Sequence, residues 1–129
     1  MIVYLYMKNS NLKFVIENPK GSYKSFETKN DPTWEKYPLA GVTFPVDYGY
    51  IDGYKSEDDH DLDVFIGTGN LNGYMKVWRY DVPIETKFMH GVTESEWDEI
   101  VKIYAPVIKE NKVFANEEEF FSMLNLYKR

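Results

Sequence analysis

Five carboxylates fall within seven positions in Glu57-Asp58-Asp59-His60-Asp61-Leu62-Asp63, and the run passes directly into Val64-Phe65-Ile66. Carboxylates packed this closely repel one another. Either water solvates them in an acidic turn, or a divalent cation holds them together, and both readings are open from the local residues. Oxygen donors with some water suit Mg²⁺ or Mn²⁺. The spacing lacks the glycine and the twelfth-position glutamate of an EF-hand loop. If 62–66 is extended, Leu62, Val64 and Ile66 face one side and Asp63 with Phe65 the other. Asp63 then sits among apolar neighbours, where an ionised carboxylate needs a cation or several hydrogen bonds.

The elements that must position this cluster are short strands. Apolar and aromatic runs predict strands over 2–7, 12–17, 42–46, 62–66 and 74–80, with turn residues at 8–11 and 18–22 and a loop over 28–38. After residue 90 the pattern changes. Thr93-Glu94-Ser95-Glu96 fits a capping box, and Trp97, Ile100, Val101 and Tyr104 then fall on one helical face. Pro106 kinks or ends that helix. Asn116 followed by Glu117-Glu118-Glu119 starts a second helix, with Phe120, Phe121 and Leu124 to pack and Lys128 and Arg129 at its end to suit the dipole. His90-Gly91 reads as loop, and Trp34, Trp78 and Trp97 as core or interface. Strands followed by two helices predict an α+β chain or a small barrel with appended helices, not a doubly wound sheet. Gly67-Thr68-Gly69 is too short for a nucleotide loop and no phosphate-binding lysine follows it.

The 129 residues (15.2 kDa) suffice for a single domain over 1–129, and 43% apolar with 28% charged residues is a globular balance. No stretch predicts a membrane span, and the N-terminus lacks the basic region of a secretory signal. Without cysteine there is no thiol nucleophile or Cys-built zinc site, which fits a cytoplasmic chain. A net charge of −6 disfavours nucleic acid. It leaves room for a small phosphorylated ligand, because metals held by carboxylates reverse the local field. Aromatic residues at 17% allow a homo-oligomer, with no face assigned.

Just ahead of the acidic run stands Phe44-Pro45-Val46-Asp47-Tyr48-Gly49-Tyr50-Ile51. Together the two segments resemble the soluble, Mg²⁺-dependent family I inorganic pyrophosphatases, which carry Tyr-Pro-x-Asn-Tyr-Gly-Tyr-Ile and, further on, Asp-Gly-Asp-Pro-x-Asp-Val. Glu17-Asn18-Pro19-Lys20-Gly21-Ser22 is similar to the family's Glu-x-Pro-x-Gly-Ser, and Phe26-Glu27 to its Tyr-Glu. Asp81 and Glu85-Thr86-Lys87 are similar to its later Asp and Asp-x-Lys, with one residue lost between them. The resemblance spans about residues 12–90 and is most specific over 44–65.

The resemblance implies a mainly β fold with α, a small OB-like closed β-barrel with two C-terminal helices. It implies hydrolysis of pyrophosphate to two phosphates by a metal-activated water, with Mg²⁺ (or Mn²⁺) as cofactor. Asp58, Asp63 and Asp81 would be metal ligands, joined by Glu85 and Glu17, with Asp59 at the family's glycine position. Tyr48 would take the active-site tyrosine's place, and Lys36 and Lys87 would clamp phosphate. Glu27 and Lys24 would belong to the substrate pocket. Two departures stand out. His60 replaces the middle aspartate that orients or deprotonates the attacking water. A neutral imidazole there could act as base or ligand; a charged one would do neither. Ser25 stands where a phosphate-binding lysine is expected, with Lys24 adjacent. The shortened C-terminal part offers Tyr104, Lys109 and Lys112 only as loose counterparts of a late Tyr-Lys pair. Beside the pyrophosphatase reading stand a hydrolase of a nucleotide or other phosphorylated molecule, and a non-enzymatic binding descendant.

Overall fold

The computed structural model describes residues 3–6, 12–26, 37–79 and 82–129. Among the described residues, nine strands and two α-helices follow one another as β1 (Val3–Tyr6), β2 (Lys13–Asn18), β3 (Tyr23–Ser25), β4 (Gly41–Thr43), β5 (Asp47–Lys55), β6 (Asp61–Ile66), β7 (Leu71–Arg79), β8 (Val82–Val92), α1 (Glu94–Tyr104), β9 (Ile108–Val113) and α2 (Glu117–Leu124). Seven strands form one sheet in the order β1-β2-β5-β6-β8-β7-β9, and β3 with β4 makes a separate ribbon. β8 folds back on β7 as a hairpin partner and inserts beside β6, giving a parallel β6–β8 pair within an otherwise antiparallel sheet. A mainly β chain with two helices is what the structure has. Among the described pairings, none joins β1 to β9, so no closed barrel is found.

Alternation sends the two faces of this sheet into two cores. On β6, Leu62 and Val64 pack with Phe14, Ile51, Phe88, Phe114, Phe120 and Leu124, the core covered by α2. Phe65 packs the other way, with Tyr48, Met75, Val77, Met89, Trp97, Ile100 and Tyr104, the core covered by α1. Asp63 shares this second face, as the period of two requires.

Several sequence expectations need correcting. Of the strand expected at 42–46 only Val42 and Thr43 are strand: β4 stops at Thr43, and a bend at 45–46 leads into β5. Tyr48-Gly49-Tyr50 lies within β5, where a Cβ on Gly49 would collide with the Val15 carbonyl oxygen of β2. His90-Gly91 is strand, not loop, inside β8. The helices are not consecutive, because β9 intervenes and pairs with β7. Its Lys109-Glu110-Asn111-Lys112 is the polar signature of an edge strand, not an apolar alternation. α2 ends at Leu124, so Lys128 and Arg129 lie beyond its last turn, and Lys128 instead bridges to Tyr54.

Both predicted N-caps are present. Thr93 Oγ1 accepts from Glu96 N at 3.1 Å while Glu96 Oε1 accepts from Thr93 N at 2.8 Å. Glu96 also accepts from Thr68 N and Thr68 Oγ1, tying α1 to the 67–70 loop. Asn116 Oδ1 accepts from Glu119 N. α1 ends just before Pro106, and Trp97 is core while Trp78 is partly buried. Trp34 lies outside the described residues, as does most of the loop expected at 28–38. No described helix is long and apolar enough to cross a membrane.

Candidate active site

The parallel pairing of β6 with β8 sets Asp63 directly beside Lys87, and Glu85 lies two residues earlier on the same face of β8. Tyr48 comes from β5, the other neighbour of β6. Lys87 Nζ donates to Tyr48 Oη at 2.6 Å, Asp63 Oδ2 at 2.8 Å and Glu85 Oε1 at 3.0 Å. Three acceptors match the three N–H donors of an ammonium, so the charge is fully satisfied although the side chain is buried.

A second cation continues the pattern. Arg79 Nη1, from the end of β7, lies 3.7 Å from Glu85 Oε2 and 3.3 Å from Asp58 Oδ2. The groups therefore run Asp58, Arg79, Glu85, Lys87, Asp63, a series alternating in sign. Alternation stabilises charges that burial alone would neutralise. Burial pulls Lys87 down, but Asp63 and Glu85 overcome it and hold the ammonium well above its ordinary value. Burial pushes Asp63 up, yet Lys87 and hydrogen bonds from its neighbours, Tyr48 among them, bring it below the usual carboxylate range. Glu85 is raised, by burial and by its hydrogen bond with Asp63. Burial, reinforced by the Asp63 charge, keeps the Tyr48 phenol protonated, and Tyr104 is pushed up to about 12 chiefly by burial.

Tyr48, Asp63, Arg79, Glu85, Lys87 and Tyr104 line a cavity of about 220 Å³. Lys24, Arg79 and Lys87 bring three positive charges to its wall, against two negative from Asp63 and Glu85. Among the described lining residues the positive charges thus outnumber the negative, in a chain whose net charge is −6. Apart from Ser25, the rest of the wall is aromatic and apolar, from Phe26, Tyr37, Phe44, Val77 and Tyr104. Most of these rings are core residues engaged with one another: Phe44 stacks on Tyr48 at 4.6 Å, and Tyr37 meets Phe26 and Trp78 edge-on.

Of the residues singled out from sequence, Tyr48, Asp63, Glu85, Lys87, Lys24, Ser25 and Tyr104 come together here. Asp58 is one step removed, reaching the site through Arg79. Its other oxygen accepts the backbone N–H of His60 at 3.0 Å, which closes the 56–60 turn. His60 is exposed on that turn and is not among the lining residues. Asp59, at the position where the resemblance places glycine, adopts φ 63°, a left-handed conformation that Asp tolerates better than most residues. Glu17 is exposed at the irregularity where β2 shifts register opposite Tyr48, and it does not line the cavity. Glu27, Lys36 and Asp81 lie outside the described residues. Among the described residues, no three His, Asp or Glu side chains converge as a metal cluster would require.

Arg79 was legible and was missed. It continues the Met75, Val77 alternation into the α1-side core, so it is a charge on an apolar face, the same signal that marks Asp63. A second omission lies beneath the floor. Thr86, between Glu85 and Lys87, points to the opposite face, where its Oγ1 donates to Glu57 Oε2 at 2.7 Å and its N–H to Glu57 Oε1 at 2.9 Å. Tyr127 Oη donates to the same Glu57 Oε2 at 3.2 Å. The C-terminal segment thereby fixes the acidic turn to the strand that carries Glu85 and Lys87. No local pattern signals contacts over such sequence distances.

Residues 6–111 match the family model described as Inorganic Pyrophosphatase. No curated protein and no solved structure matches the chain.

Proposed function

The chain belongs to the inorganic pyrophosphatase family, and we propose that it hydrolyses inorganic pyrophosphate to two phosphates in the cavity above β6 and β8, as a cytoplasmic enzyme acting on a free small molecule. The observation that carries this is the Lys87 ammonium, held between Tyr48, Asp63 and Glu85 on a cavity wall that also presents Arg79 and Lys24. Such a wall draws a small polyanion into a site whose dipoles are already oriented. The volume, about 220 Å³, falls below the roughly 300–1,000 Å³ of ordinary small-molecule pockets. The aromatic rings are packed against one another rather than offered as a stacking platform. Both features favour pyrophosphate over a nucleotide.

Mg²⁺ is bound through one or two carboxylates, with water and phosphate oxygens completing its shell. Asp63 and Glu85 supply that minimum into one cavity, so the donor chemistry fits, and these two residues would hold the ion. When bound it would supply neutralisation of phosphate charge and acidify a water. The chain's own groups do the rest. Arg79 and Lys24 bind phosphate oxygens and orient the anhydride for in-line attack, while Lys87 adds its charge to the field and holds Asp63 and Glu85 in place. Tyr48 keeps its proton and fixes the Lys87 head group. Among the described lining residues, Asp63 and Glu85 are the carboxylates that can accept the proton of the attacking water. A P–O bond forms to the water oxygen as the bridging P–O bond breaks, and the second phosphate departs with the bridging oxygen.

A second reading, anion binding without turnover, is favoured by one observation: His60, in the place of the family's water-orienting aspartate, lies outside the cavity lining. Phosphate release from pyrophosphate with Mg²⁺ separates the two. The hydrolase reading expects turnover that Asp63→Asn reduces to background while His60→Ala leaves the rate unchanged. Pyrophosphate binding with no release above the Asp63→Asn background would establish the binding protein instead.

A further inference from the structure

Asp58 has both carboxylate oxygens engaged. Oδ1 accepts the backbone N–H of His60 at 3.0 Å, and Oδ2 faces Arg79 Nη1 at 3.3 Å. The side chain is only 4% exposed, so water does not relieve its charge. The same Arg79 nitrogen lies 3.7 Å from Glu85 Oε2, which places one positive nitrogen between carboxylates delivered by a turn and by a strand. Carboxylates brought together from separate elements are the arrangement that a bridging divalent ion relieves. Here a guanidinium stands between them. Unlike an ion it cannot dissociate, and it keeps its charge at every working pH.

We propose that Arg79 is a built-in cation that takes the place of a bridging divalent ion between Asp58 and Glu85, so that the protein loads one divalent ion and Asp58 holds none. Asp58 is then a positioning residue that anchors Arg79, and the loaded ion belongs on the Asp63 side of the cavity. The consequence is a site half-charged before any metal arrives, in which Arg79 gives the phosphate a fixed cation whatever the metal concentration. The inference rests on the metal-dependent reading above, but its readout is ion binding, not turnover.

The test is Mn²⁺ stoichiometry by equilibrium titration, followed calorimetrically and by the loss of the free-ion paramagnetic resonance signal. The intact protein binds one Mn²⁺. Arg79→Gln releases Asp58 and Glu85 and binds two, and Asp58→Asn added to Arg79→Gln returns the count to one. Asp58→Asn alone, which keeps Arg79 on Glu85, still binds one; this variant keeps the proposal testable should Arg79→Gln fail to fold. Two or more ions on the intact protein, none at all, an unchanged count in folded Arg79→Gln, or loss of the ion in Asp58→Asn would each overturn the proposal. One bound Mn²⁺ without phosphate release would sink the hydrolase reading and leave the role of Arg79 standing. Two bound ions with turnover would do the reverse.

Discussion

Lys87 is the residue on which the site turns, because it is the cation that lets Asp63 and Glu85 approach one another away from water. Removing one partner of a buried ion pair leaves the others uncompensated and costs about 3–5 kcal/mol. Lys87→Met is therefore expected to lower stability by about that amount in urea unfolding, and to abolish pyrophosphate binding at concentrations where the refolded variant is native. A variant as stable as the parent would mean that the carboxylates are relieved in another way. At this scale the sequence was informative wherever a charge interrupts an apolar alternation. Asp63 was read correctly as facing away from Leu62 and Val64, and Arg79 offered the same signal. What could not be read was the pairing. That Asp63 meets Lys87, and Arg79 meets Asp58, depends on a parallel register between β6 and β8 and on the reach of a turn across to β7. Neither is a local property of the chain.

At the scale of elements, the strands of the site are held at a separation that one glycine makes possible. Gly49 lies on β5 opposite Ile16 of β2, and a Cβ there would collide with the Val15 carbonyl oxygen, which is backbone and cannot swing aside. Gly49→Ala should destabilise the protein by about 1–3 kcal/mol, in the range of overpacked cores, and displace Tyr48 next to it. Thermal unfolding with the tyrosine fluorescence of the folded state would record both, and a neutral effect would show that β2 and β5 are not held this closely. The helices were legible because their caps and apolar periods are local. β8 was not, because Val82–Val92 presents Glu85 and Lys87 to the cavity and Thr86 and Phe88 to the opposite core, so no single face is uniformly apolar and Pro83 reads as a turn. β9 was hidden for the opposite reason: it is an exposed edge strand with almost no apolar residues.

At the scale of the whole molecule, one sheet divides two cores and carries a histidine into one of them. His90 stacks on Phe14 at 5.1 Å and contacts Phe120. Asn72 Oδ1 accepts the Gly91 N–H at 2.9 Å and lies 2.7 Å from His90 Nδ1, so Nδ1 bears the proton of a neutral imidazole. Burial lowers its pKa below 6.5, with Glu117 opposing in part. The unfolded chain then binds the proton more readily than the native one, and stability rises with pH across that interval. The contribution is complete above the unfolded value of about 6.5 and is lost as pH falls through the lower folded value. The melting temperature should therefore decline from pH 7.5 to pH 5.5, above the range of ordinary carboxylates, and His90→Gln should flatten that decline. An unchanged slope in the variant would assign the titration elsewhere. The net charge of −6 was legible from composition, but its reversal at the cavity wall was not, since three cations from β3, β7 and β8 become neighbours only on folding.

The central claim, that this cavity cleaves the phosphoanhydride bond, is tested most directly by following pyrophosphate with phosphorus NMR in the presence of the protein and Mg²⁺. The pyrophosphate resonance should disappear while a single orthophosphate resonance grows, two phosphates for each pyrophosphate consumed, and the conversion should stop in Asp63→Asn. A pyrophosphate resonance that broadens or shifts on the intact protein but never gives way to orthophosphate would contradict it, and would leave a cationic cavity that binds without cleaving.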